Sequence, residues 1–139
     1  MTWDTPEWRT ERCAWSEEAA HVLAASTKWF PLATVEDYRL LLLNNPNDAA
    51  LYRVSAGGEL IGFVILKIER FSGGSEGVIV AAAGSLPGGD LVDIVLPTLQ
   101  NEFMGVDSYR VTTARPGLVR KLVKRGWLQT HAVLRKVAP

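Results

Sequence analysis

The chain has 139 residues, 47% of them hydrophobic, which suits a single domain spanning residues 1–139 with a substantial core. Its 15 Lys and Arg balance 15 Asp and Glu, and no stretch reaches the ~20 apolar residues a membrane-spanning helix needs. The single Cys13 excludes an internal disulfide framework and a cysteine-built metal cage, and the N-terminus MTWDTPEWRTERC lacks the layout of a signal peptide, so a cytoplasmic protein with a reduced thiol is expected.

Trp3, Trp8 and Trp15 crowd the N-terminal arm, which predicts docking of that arm, with part of the indole surface at a self- or partner-interface. A short strand falls around Trp8–Cys13. Ser16 is the expected N-cap of a helix from Glu17 to Trp29 that buries Ala20, Leu23 and Ala24 and ends before Pro31. His21 lies in it without a carboxylate or cysteine partner and carries no expected chemistry. Thr34 caps a second helix, Val35 to Leu43, closed by Asn44-Asn45-Pro46.

The pattern then becomes extended. Strands are predicted over 51–55 and 60–71, separated by the Ala56-Gly57-Gly58-Glu59 turn, and over 77–83 after Ser72-Gly73-Gly74-Ser75. The stretch from Glu76 to Met104 organises the chain. It runs from the strand Val78-Ile79-Val80 through Ala81-Ala82-Ala83-Gly84 and the turn Ser85-Leu86-Pro87-Gly88-Gly89. A helix capped by Asp90 follows, with Leu91, Val92, Val95, Leu96, Leu99 and Phe103 at helical spacing. A strand, a glycine-bearing turn and a helix N-terminus can aim backbone N–H groups at an anion. Pro97 predicts a kink or widened turn over Asp93–Pro97, because it removes one helical hydrogen bond.

Strands at 109–113 and 130–136, with a short helix between them stopped by Gly126, complete the order. From Tyr109 onward there are eight Lys and Arg and no acidic residue. Arg120, Lys121, Lys124 and Arg125 stand opposite Leu118, Val119, Leu122 and Val123, which reads as the solvated face of a helix. Aromatic residues are not interleaved with these cations beyond Tyr109 and Trp127, which argues against nucleic acid as partner.

Two helices, a three-strand meander, a central helix, a strand, a helix and a last strand resemble the GNAT superfamily of N-acetyltransferases over nearly the whole chain. GELIGFVILKI is similar to the family's second and third strands, and LVRKLVKRGW to its closing helix, which ends in Gly and an aromatic residue. The resemblance implies an α/β (α+β) fold: a mixed sheet flanked by helices, with a parallel central strand pair. It also implies acetyl-CoA or another acyl-CoA as acyl donor, held by Ala82, Ala83, Gly84, Leu86, Gly88, Gly89, Asp90, Leu91 and Arg115. The acceptor would be a small-molecule or protein amine.

Several positions depart from the family pattern. Leu86 and Pro87 stand where an Arg or Gln usually precedes the glycines. The Asp90 carboxylate competes with a phosphate for the same N–H groups. At an effective dielectric of about 20, two unit charges ~5 Å apart repel by roughly 3 kcal/mol, about 100-fold in affinity. Leu122 falls where many relatives carry the tyrosine that protonates the leaving thiolate, and Arg115 where they carry an asparagine. Glu76, the carboxylate of the fourth strand, reads as a solvated residue near the hairpin, and Thr112 and Thr113 as ordinary strand formers. Two functions follow: an N-acyltransferase, or a non-catalytic GNAT-fold interaction protein binding a protein partner or a second copy of itself. The length, Leu122 and the Gly126-Trp127 ending are also compatible with small divergent GNAT-like proteins of bacteriophages, which would place the chain in a host cytoplasm.

Overall fold

The computed structural model describes residues 8–29, 32–84, 92–103, 105–113, 116–131 and 133–138. Five strands form one sheet in sequence order: β1 (Trp8–Cys13), β2 (Ala49–Ala56), β3 (Glu59–Phe71), β4 (Gly74–Gly84) and β5 (Ser108–Val111). The first four pair antiparallel, and β4 and β5 pair parallel. A parallel pair cannot be joined by a tight turn, and the connection here carries α3 (Val92–Glu102).

Helices cover both faces of the sheet, which explains why the middle of β3 reads as a continuous apolar run rather than an alternating one. On one face Tyr52, Val54, Val64 and Leu66 pack with Val95, Leu99 and Phe103 of α3. On the other, Leu51, Phe63, Ile65, Ala81 and Ala83 pack with Ala19 and Leu23 of α1 (Glu17–Leu23) and Tyr38 of α2 (Val35–Asn44).

The caps behave as expected. The Ser16 hydroxyl accepts from the Ala19 amide at 3.1 Å, and Asp37 accepts from the Thr34 amide at 2.8 Å. The first helix is shorter than expected. It tightens into a 3-10 segment over Ala24–Trp29, which turns Ala24 outward and leaves Ala20 half-buried. Ala19 and Leu23 take the buried face instead. The tightened turn also places the buried Ser26 hydroxyl 2.8 Å from the Leu23 carbonyl, which accepts from it, and 2.9 Å from the Tyr38 hydroxyl, tying this segment to α2.

Helix α3 spans Val92–Glu102 with Pro97 inside it. Burial of Val95, Leu99 and Phe103, each worth about 1.5–3 kcal/mol, offsets the ~3 kcal/mol a proline costs in a helix interior. The next residue, Thr98, donates its hydroxyl to the Ile94 carbonyl at 2.9 Å. Within α4 (Pro116–Lys124), Leu122 is buried and Leu118 and Val119 are half-buried, but Val123 faces solvent. Where a strand was expected over 130–136, the described residues 127–131 and 133–138 carry none, and β5 is the last described strand of the sheet. An apolar pattern specifies a strand but not its partner.

Of the N-terminal indoles, Trp8 is 41% exposed on β1, Trp15 is half-buried against the second core face, and Trp3 lies outside the described residues. Among the described residues the indoles are thus partly exposed, Trp8 more than Trp15.

Tyr52, fully buried between β1 and β3, has its hydroxyl pKa pushed up to about 12, first by burial and then by the Glu102 carboxylate beside it. A raised tyrosine pKa keeps the neutral form in the fold. Its contribution to stability is therefore intact below the ordinary tyrosine range and lost as pH rises from about 10 towards 12. Denaturant titrations across that window should show a steep alkaline loss of stability that Tyr52→Phe flattens; an unchanged slope in the variant would contradict it.

Candidate active site

The upper half of β4 is shaped by an extra residue. Ala81 pairs with Ile65 but Ile79 pairs with Leu66, so Val80 has no counterpart on β3. Such a bulge bends a strand and redirects its side chains. Ile79 and Ala82 point to the α3 face, whereas Val80 and Ala81 both point to the α1/α2 face. At the same level β5 ends: its last pairing is Val111 with Ile79. From Val80 to Gly84, β4 therefore pairs with β3 alone among the described strands, and its edge on the β5 side pairs with no described strand.

A pair of glycines draws this end of β4 onto β3. Gly62 and Gly84 are directly opposite. A Cβ on Gly62 would lie 2.2 Å from the Ala83 carbonyl oxygen, and one on Gly84 would lie 2.3 Å from that of Ile61. Only glycine permits that approach. Of the residues singled out by sequence, Ala82, Ala83 and Gly84 lie on this stretch of β4. Leu86, Gly88, Gly89, Asp90, Leu91 and Arg115 lie outside the described residues.

Below the opening, β5 is fastened to the sheet by polar contacts. Asp107 accepts from the Ser75 amide at 2.8 Å and donates its own amide to the Ser75 carbonyl at 2.9 Å. Glu76 accepts from the Ser108 hydroxyl at 2.8 Å, and Arg110 reaches across β4 to pair with Glu69 on β3. Arg110 Nε is buried without a hydrogen-bond partner in this array. Glu76 is thus half-buried and engaged, not the solvated residue its position near a hairpin suggested. Thr112 and Thr113 follow β5 where it leaves the sheet, beyond its last pairing.

Helix α4 is tied to the first turn of α3. Arg125 and Lys121 both pair with Asp93, and hydrogen bonding from Arg125, above all, holds the Asp93 carboxyl below the usual range. The helix ends at Gly126 in the left-handed conformation, with the Trp127 amide donating to the Leu122 carbonyl at 3.0 Å and the Gly126 amide to that of Val123 at 3.1 Å. Leu122, at the position expected of a thiolate-protonating tyrosine, is buried and has no proton to give. Arg120 and Lys124, further cations of this helix, are exposed. Burial pushes the Cys13 thiol pKa up, which makes it a poor nucleophile. Among the described residues no group of His, Cys, Asp and Glu could hold a metal ion, and no helix is long and apolar enough to cross a membrane.

No protein-family model matches the chain, and a search of curated proteins finds no significant match. Solved structures do match its architecture. Glucosamine-6-phosphate N-acetyltransferase from Arabidopsis thaliana superposes with a TM-score of 0.66 at 15% identity, covering 94% of this chain and 98% of that one. A transcriptional regulator from Bacillus halodurans C-125 superposes with a TM-score of 0.65 at 16% identity, covering 95% and 100%. An aminoglycoside N-acetyltransferase in complex with CoA gives a TM-score of 0.63 at 10% identity, covering 99% of both chains. The fold is that of the GNAT acetyltransferases: a mixed five-stranded sheet, parallel at β4–β5, with helices on both faces. At these identities the likeness concerns the fold alone.

Proposed function

We propose that the chain is an N-acyltransferase that moves an acyl group from acetyl-CoA or another acyl-CoA to an amine. The observation that carries this reading is the open edge of β4 from Val80 to Gly84, created where the bulge and the end of β5 coincide. The pantetheine arm of CoA contains two amides, and such a chain can lie along an unpaired strand edge as an added strand does. Ala82, Ala83 and Gly84 leave room beside that edge. In this reading the backbone of Leu86, Gly88, Gly89, Asp90 and Leu91, leading into α3, receives the pyrophosphate, with Arg115 adding positive charge.

The chemistry asks little of the side chains. The amine nitrogen attacks the thioester carbonyl, the C–N bond forms, the C–S bond breaks, and the nitrogen gives up a proton. Positioning supplies much of the rate. Glu76 lies three residues from Ile79, the last residue before the opening, or about 10 Å along the strand at ~3.3 Å per residue. Glu76 is the carboxylate we assign to accept the amine proton, by way of intervening water. With Leu122 at the other side of the reaction, the thiolate takes its proton from water.

Calorimetric titration with acetyl-CoA tests the reading: saturable heat supports it. No heat from the wild type or from Asp90→Asn, which removes the competing charge but keeps a helix cap, would leave a non-catalytic GNAT-fold interaction protein as the better account.

A further inference from the structure

Where β1 ends, the chain passes through Ala14 and Trp15 towards α1, beside the last turns of α2 and the start of β2. These elements leave a cleft of about 360 Å³ between them. Its walls are apolar. Trp15, Leu42 and Pro46 line it together with the buried Ala49 and Leu51, and Leu43, 63% exposed, borders it on the solvent side. That volume falls within the range of small-molecule sites, which pair largely apolar walls with a few placed polar groups.

The charged groups of the cleft are both cations. Arg12 and Arg39 line it, and none of its described lining residues is acidic. The two guanidiniums differ in what they have left to offer. Arg39 is paired with Glu36, one turn earlier on α2, so its charge is met and its apolar stem serves as wall. Arg12 donates to the Pro46 carbonyl at 3.1 Å and pairs with no carboxylate among the described residues. That contact occupies one of its five N–H donors and supplies no counter-charge. The Arg12 fork is therefore tethered beside the cleft with donors to spare.

We propose that this cleft is a binding site for a small carboxylate with a flat apolar body, the carboxylate on Arg12 and the body among Trp15, Leu42 and Leu51. The charge selects the acid, because a guanidinium and a carboxylate can form two parallel hydrogen bonds between opposite charges. The walls select the body, because an aromatic ring buries its surface against them without stranding a polar group. The cleft is separate from the β4 edge assigned to the acyl donor. Strands β2 and β3 lie between β1 and β4, about 14 Å across the sheet at ~4.8 Å per strand spacing. The inference is thus independent of acyl transfer and holds whether or not an acyl-CoA binds.

Titration of the labelled full chain with 3-phenylpropionate, followed by amide nuclear magnetic resonance, tests the proposal. Saturable shifts are expected at residues 13–15, 42–43 and 49–51. The uncharged analogue 3-phenylpropanamide should bind the same place about tenfold more weakly, since it lacks the charge that Arg12 meets. Arg12→Gln should bring the two affinities together by weakening the acid alone. Shifts that do not saturate at millimolar 3-phenylpropionate, or that fall only elsewhere, would overturn the proposal. So would equal affinity of wild type for acid and amide, or a preference for the acid that survives in Arg12→Gln. Should that variant fail to fold, the wild-type preference and the location of its shifts decide alone.

Discussion

Gly62→Ala should lower the stability of the protein by about 3 kcal/mol, at the upper end of what overpacking costs. The added methyl would sit 2.2 Å from the Ala83 carbonyl oxygen and 2.9 Å from the Gly84 Cα. Both are backbone atoms of β4, so no side chain can swing aside. The sheet must instead part at the Gly62–Gly84 pairing, the level at which β4 is drawn away from the opening beside β5. Chemical denaturation reads the effect directly, and a variant within about 0.5 kcal/mol of wild type would show that the two strands are not so close. Gly57→Ala makes an informative control: its Cβ meets nothing within 4 Å, so its cost comes only from the left-handed backbone at φ +56°.

Glu76→Gln should reduce acyl transfer about 100-fold while leaving stability and acyl-CoA binding near wild type, since general base catalysis is typically worth 100-fold or more. Glutamine keeps the oxygen that accepts from Ser108, so the contact fastening β4 to β5 survives. What disappears is the ability to take a proton. An unchanged rate would remove Glu76 from the reaction and leave the attacking amine to lose its proton to water.

Much of the architecture was legible because it rests on local chemistry. Ser16 and Thr34 mark helix starts by the polar groups they offer, and Gly126 marks a stop by the conformation it adopts. The meander turns carry the glycines that positive φ requires at Gly57, Gly58 and Gly74. The parallel pairing of β4 with β5 followed from strand–helix–strand order alone. What stayed hidden depends on contacts distant in sequence. The bulge at Val80 falls within Val78-Ile79-Val80-Ala81, where every residue is apolar, so a change of face leaves no trace in the pattern. Glu76 appeared solvated because Ser108, its partner, is 32 residues away. The last strand was read from an apolar pattern alone, and nothing in Thr130–Val137 states which edge it would join. Of the proposed site, the sequence showed only small residues, Ala82 to Gly84; the strand edge beside them, which pairs with no described strand, became visible once β5 was seen to end opposite Ile79.

The central claim is that the edge of β4 left open beside β5 receives the pantetheine arm of an acyl-CoA. Amide nuclear magnetic resonance of the labelled protein during titration with acetyl-CoA tests it residue by residue. The account predicts saturable shifts of the amides from Val80 to Gly84, with the β1 amides from Trp8 to Cys13 unmoved at the far edge of the sheet. Shifts confined to other surfaces, or a spectrum unchanged by millimolar acetyl-CoA, would contradict it.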